Sequence, residues 1–139
     1  PLNELWPQVT SRERNLLACP MTKALNGSWI LSSRMVDHYV QSSDPFVAQL
    51  DADKLTGSLS LSVAEQGDRF APFGMKGKMV KLGNFWTNSG LPVRARHSWP
   101  LVRSGDEIIW VPGFRIAEGF QVDPNTQHVL YLTISKESV

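Results

Sequence analysis

Cysteine occurs once in this chain of 139 residues, at Cys19, so no disulfide can close within it. A reducing, cytoplasmic setting fits that usage better than a secreted one. Long apolar runs are missing as well: nothing approaches the roughly 20 residues that span a bilayer. No basic segment followed by an apolar one opens the chain, so neither a membrane helix nor a signal peptide is expected. The three histidines, His38, His97 and His128, lie far apart and form no metal-ligand spacing with Cys19 or a carboxylate. Asp51-Ala-Asp53 lacks the rest of a calcium-loop pattern and reads as a turn between strands. The glycine-rich dinucleotide fingerprint, the phosphate-binding P-loop and the nucleophile elbow are all absent. No catalytic residue, metal or cofactor is therefore assigned to this chain.

What is present is enough apolar material for one core with a small satellite: 42% of residues are hydrophobic and 19% charged. The first residue is Pro1 rather than an initiator methionine, and the chain is expected to be an excised piece of something longer. The net charge of +1 hides a lopsided distribution. From Arg69 to Arg103 there are seven basic residues and no Asp or Glu, a local +7, while the remainder carries seven basic and thirteen acidic residues, or −6. A patch of that kind suits a polyanion, because neutralising phosphates releases counterions; a solvated basic face is the alternative.

Along the chain, Thr10 to Ala18 reads as a short helix with Thr10 or Ser11 as N-cap and Pro20 as stop. Ser28–Leu31 and Met35–Val40 read as strands between the turn signals Asn26-Gly27 and Asp44-Pro45. Phe46–Leu50 continues the β character, and Leu59–Val63 alternates as a half-buried strand with Leu59, Leu61 and Val63 inward. Three glycines and a proline make Gly67–Gly77 a loop. Met79, Leu82, Phe85 and Trp86 then recur at helical spacing, Gly90 stops that helix and Pro92 opens another turn. Glu107–Val111, Phe114–Val122 and Val129–Ile134 complete the strands, the first two joined through Pro112-Gly113. The pattern is α+β, a small sandwich-like domain over 46–139 preceded by a helix and strand segment over 1–45.

The run Gly67-Asp68-Arg69-Phe70-Ala71-Pro72-Phe73-Gly74-Met75-Lys76-Gly77 is followed by Lys81-Leu82, Phe85-Trp86, Pro92, Arg96 and Pro100-Leu101-Val102. With Ile108-Ile109-Trp110-Val111-Pro112-Gly113 and Phe120, this order resembles the C-terminal domain of tRNA(Ile)-lysidine synthetase over about residues 46–134. The resemblance implies a β-sandwich of unusual topology, related to a domain of phenylalanyl-tRNA synthetase, that holds the acceptor stem of tRNA(Ile). It further implies a catalytic N-terminal domain in the parent chain, where ATP and lysine are used to convert the wobble cytidine to lysidine. The family's ATP-pyrophosphatase loop, Ser-Gly-Gly-x-Asp-Ser, is missing here. Three positions depart from the family: Ser62 stands where an arginine is usual, Gly90 where a lysine is, and Asn84 where an aspartate is.

The residues expected to bind RNA are Arg69, Lys76, Lys78, Lys81, Arg94 and Arg96, on one continuous surface. Lysine and arginine at phosphates fix position without reading bases, which suits an A-form stem. Of the six, Arg69 is the one placed to be diverted, with Asp68 adjacent and Glu65 near. Phe70, Phe85, Trp110 and Phe120 are expected in the core, and Trp86 and Trp99 are assigned there rather than to base stacking. A protein-interaction or small-ligand module without RNA binding is the alternative from another class.

Overall fold

A computed structural model describes residues 5–137. Strands β1 (Asn15–Leu16), β2 (Met21–Ala24), β3 (Trp29–Val36) and β4 (Val47–Asp51) lead to a tight helical turn (Ala52–Lys54) and β5 (Leu59–Ser62). Two short strands, β6 (Arg69–Phe70) and β7 (Val80–Lys81), bracket the glycine-rich loop, and helices α1 (Leu82–Ser89) and α2 (Val93–Arg96) follow. The remaining strands are β8 (Leu101–Ser104), β9 (Glu107–Val111), β10 (Arg115–Ile116) and β11 (Val129–Lys136). They assemble into a five-stranded sheet, β1-β5-β8-β9-β10, a four-stranded sheet, β2-β3-β11-β4, and the two-stranded ribbon β6-β7. Few helices accompany the sheets, as the α+β class expects.

Alternation explains which residues each sheet buries. In β11, Leu130, Leu132 and Ile134 are buried while Tyr131 and Thr133 are only half so. Strand β9 differs: Ile108 through Val111 are all buried, so both of its faces are covered. The cover on one side comes from β6 and α1, whose Phe70, Leu82 and Phe85 join the same core. Aromatic contacts tie this cover to the sheets. Rings run in series from Trp29 to Phe46, Trp99, Phe114, Phe85 and Phe70, with successive centroids 5.0–6.3 Å apart. Such pairs add about 0.5–1.5 kcal/mol each beyond the area they bury. Trp99 also donates its indole N–H to the Pro112 carbonyl at 2.9 Å. Gly113, at φ 85°, lets the chain pass there: a Cβ would lie 3.1 Å from the Phe46 ring and 3.2 Å from that of Trp99. Trp86 and Trp99 are both core residues, at 2% and 4% exposure.

Three sequence expectations need correction. Residues 10–18 form no helix; their adjacent leucines face opposite ways, with Leu17 buried and Leu16 76% exposed, which is a strand's period of two. Leu17 donates its N–H to the Leu59 carbonyl at 2.9 Å, so pairing with β5 supplies what a helix would have supplied internally. The two strands read across 28–40 are one, β3, which ends before Asp37. The long segment 114–122 keeps only β10 and isolated bridges, Leu50 with Gln121 and Pro72 with Ala117. Strands β2 and β8 had no clear signal of their own in the sequence. Both take their place by pairing, β2 with β3 and β8 between β5 and β9.

Candidate nucleic-acid interface

The glycine-rich segment is built around one turn and one ribbon. The Asp68 N–H donates to the Glu65 carbonyl at 3.1 Å, and the Asp68 carboxylate accepts from the Glu65 N–H at 2.7 Å, closing a turn with Gly67 at φ 82°. The chain then enters β6, where Phe70 is buried against Phe85 and Arg69 points out. Strand β7 returns antiparallel with Arg69 directly opposite Lys81 and Phe70 opposite Val80. Two exposed cations therefore face each other across a ribbon, an arrangement that is destabilising unless an anion lies between them. Lys81 is also the N-cap of α1, and the Leu82 N–H donates to the Asp68 carbonyl at 3.0 Å, joining helix to turn.

Around this ribbon lie two clefts. The larger, about 730 Å³, is lined by Arg69, Lys81, Asn84 and Trp86 together with Arg12, Arg96 and His97. The second, about 530 Å³, is lined by Lys78, Asn88 and Arg115 and again by Arg69, Lys81 and Asn84. The three shared residues make the clefts one continuous surface. Of the six cations expected at the site, Arg69, Lys78, Lys81 and Arg96 line it, whereas Lys76 and Arg94 line neither cleft. Lys76 sits at φ 57° in the loop, and Arg94 lies over the Trp6 ring at 5.4 Å. Arg96 is partly buried and turned toward its own helices, donating to the Leu91 carbonyl at 2.8 and 3.1 Å and to the Thr87 hydroxyl at 3.1 Å. Among the described residues, none of the six has a carboxylate within 4.0 Å.

Arg103 behaves differently from the rest of the basic window. It is 1% exposed, donates to both Asp68 oxygens at 2.7 and 3.0 Å, to the Ser62 hydroxyl at 2.7 Å and to the Val63 carbonyl at 3.2 Å. The cation expected to be drawn inward by Asp68 was Arg69; the one that is drawn inward is Arg103, brought there from β8. The Ser62 hydroxyl on β5 is what accepts from this guanidinium across the sheet. Arg14 pairs with Glu65 and Asp106 at 2.8 and 2.7 Å. The Glu65 carboxyl is held below its usual range, chiefly by the hydrogen bond from Arg14 and secondarily by the charge of Arg103, against partial burial. Arg12 and Arg115 at the clefts lay outside the basic window, and no local signal marked them. Arg12 arrives because its guanidinium donates to the His97 carbonyl and, at 3.2 Å, to the Ser98 hydroxyl, 85 and 86 residues away.

Comparison with known proteins follows the same residues. The family described as the TilS substrate C-terminal domain matches residues 59–133, which include the turn, the ribbon and both helices. The chain belongs to this family. It is 36% identical over 110 residues to the tRNA(Ile)-lysidine synthase of Caldanaerobacter subterraneus, covering 79% of this chain and 23% of that protein. With the tRNA(Ile)-lysidine synthase of Clostridium acetobutylicum it shares 40% identity over 91 residues, 66% of this chain and 20% of the relative. The chain thus spans about a quarter or less of the length of these relatives. Its fold matches a crystal structure of the TilS C-terminal domain with a TM-score of 0.80 at 21% identity, over 91% of this chain and 98% of the other. It also matches an N-terminal fragment of the phenylalanyl-tRNA synthetase β-subunit from Pyrococcus horikoshii, with a TM-score of 0.62 at 13% identity, over 96% and 48%. Among the described residues of this TilS C-terminal domain, no group of three His, Cys, Asp or Glu side chains is gathered for a metal, and no helix is long and apolar enough to cross a membrane.

Proposed function

We propose that this domain holds tRNA(Ile) by its acceptor stem for the catalytic portion of a tRNA(Ile)-lysidine synthase and performs no chemistry itself. The observation that carries the reading is the Arg69–Lys81 pair, two exposed cations opposed across a ribbon with no carboxylate within 4.0 Å of either among the described residues. Lys78, Arg96 and Arg115 extend the same surface along both clefts. Phosphate oxygens relieve the repulsion of such a pair and release condensed counterions. Two cations facing across a short ribbon track a backbone, whereas reading base edges would call for side-chain amides or bidentate arginines in a groove. The reading assigns ATP and free lysine to the catalytic portion of the parent chain, requires no cofactor in this domain, and sets the whole in the cytoplasm.

Titration of the chain with tRNA at two salt concentrations tests it. If about four cations touch phosphates, log affinity falls against log salt with a slope near −3, at about −0.7 to −0.9 per contact. Binding that ignores salt would overturn the reading in favour of an interaction module. The purified chain with ATP and lysine should yield no lysidine, and its appearance would refute the non-catalytic role.

A further inference from the structure

We infer that the side-chain amides of Asn84 and Asn88 contact ribose 2′-hydroxyls of the bound RNA, so that the second cleft selects an RNA duplex by its sugars as well as by its charge. This rests on the tRNA-holding role proposed above and adds what the surface recognises besides phosphate. Helix α1 reads Leu-Gly-Asn-Phe-Trp-Thr-Asn-Ser and carries no charged residue. Leu82, Phe85 and Trp86 are buried, which leaves Gly83, Asn84, Thr87 and Asn88 exposed on its outer side. An exposed helix face commonly mixes charged with polar residues; this one is wholly neutral. Asn84 and Asn88 stand at i and i+4, neighbours on one side of the helix and about 6 Å apart along its axis at 1.5 Å per residue.

The fold makes no use of these two amides. Asparagine is a poor helix former, and its usual structural reason for standing at a helix is to cap an end. Neither residue does so: the N-cap is Lys81, with no side-chain hydrogen bond to the helix, and the C-cap is Gly90. Among the described residues neither amide group has a hydrogen-bond partner in the protein. Thr87, between them, is engaged: its hydroxyl donates to the Gly83 carbonyl at 3.0 Å and accepts from Arg96 at 3.1 Å.

Their surroundings point to the ligand. Both asparagines line the second cleft together with Arg69, Lys78, Lys81 and Arg115, and no described carboxylate lines it. Cations thus stand on the ribbon side of the cleft and neutral amides on the helix side. An A-form duplex presents the matching pair of features, phosphates beside a wide, shallow minor groove that displays 2′-hydroxyls. A 2′-hydroxyl both donates and accepts, and so does an amide group. Asparagine has a single methylene, which holds its amide close to the helix and suits sugars at the groove surface better than bases at its floor.

The experiment titrates the chain with two acceptor-stem hairpins of one sequence, one of RNA and one with 2′-fluoro in place of every 2′-hydroxyl. The second keeps the A-form and the phosphates but loses the hydroxyl donors. The RNA should bind about fivefold to a hundredfold more tightly, the yield of two neutral hydrogen bonds, with the same salt slope for both. Asn84→Ala with Asn88→Ala should bind both hairpins alike, at the affinity of the fluorinated one, with the salt slope unchanged and Tm unchanged or raised. Equal affinity of the unaltered chain for both hairpins would overturn sugar recognition and leave tRNA holding intact. A preference for RNA that survives the double replacement would overturn the assignment to these residues. A preference among base-pair sequences that vanishes with the replacement would give the amides to bases instead and overturn it as well. Failure to bind either hairpin would overturn the tRNA-holding role itself.

Discussion

Arg103, from β8, and the cations of the β6-β7 ribbon come from one stretch of sequence and meet different fates. Arg103 on β8, Arg14 just before β1 and Lys54 in the helical turn each reach a carboxylate, Lys54 at 2.9 Å from Asp123, while Arg34 and Arg115 on their strands reach none among the described residues. On the ribbon and helices, Arg69, Lys78, Lys81 and Arg94 reach none among the described residues and are exposed. Yet Arg103 and Arg69 belong to the same stretch of sequence without a carboxylate. The difference is one of strand geometry. On β8, Arg103 faces the interior and must be neutralised there, because an isolated buried charge is prohibitively costly; Arg69 stands on the outer face of a two-residue strand in water. Arg103 thus serves the fold from inside it, whereas Arg69 and Lys81 keep their charge in water.

The largest effect that separates the two regions comes from Arg103→Met. It leaves Asp68 and the Glu65–Asp68 turn without their buried partner, and the loss should be about 3–5 kcal/mol in denaturant unfolding. Adding Asp68→Asn should recover part of it, since the uncompensated charge is then gone; a loss near zero for the single variant would erase the distinction between regions. Next in size is Lys78→Ala with Lys81→Ala. This pair should lower the salt slope of tRNA binding by about 1.4–1.8 units, at about 0.7–0.9 per contact, while denaturant stability hardly changes. Binding should weaken for every tRNA alike.

Arg69→Gln sharpens the comparison from the other side. Removing one of two facing like charges should raise stability by about 0.2–1 kcal/mol while tRNA affinity falls. A drop in stability would mean that Arg69 has a structural partner after all. The smallest effect concerns acid. Glu65 has its pKa lowered in the folded state, so its contribution to stability is present above the ordinary value of 4.5 and is lost as pH falls through the lower folded value. Glu65→Gln should flatten the pH dependence of unfolding in that window and leave it unchanged near neutrality. Its pairing with Arg14 is largely exposed to solvent, so the change should be modest and should shrink in high salt.

Much of the site was legible because its elements are local. Glycines and a proline at 67–77 announce a loop, the spacing of Leu82, Phe85 and Trp86 a helix, and Gly90 its end; the last adopts φ 83° as its C-cap. The basic window could be counted without any structure. What was not legible is pairing at a distance. The short helix read at 10–18 rested on caps and charges, signals that yield when a neighbouring strand can satisfy the same backbone groups. The strands β2 and β8 had no alternation or composition that marked them apart from their partners.

By itself, the sequence determined the α+β class, the core aromatics, the glycine loop and the excess of positive charge that follows it. These are matters of period, propensity and composition, and each acts within a few residues. The tertiary structure alone decided which cations stay in water and which are taken inside. It set Arg69 against Lys81 through antiparallel register, drew Arg12 and Arg115 to the clefts from outside the window, and buried Arg103 beneath Asp68. Those outcomes depend on which chain segments become neighbours and which face of each strand is covered. Neither is encoded in any one segment, because a charge's cost and use are set by the dielectric and the partners that the rest of the fold brings to it.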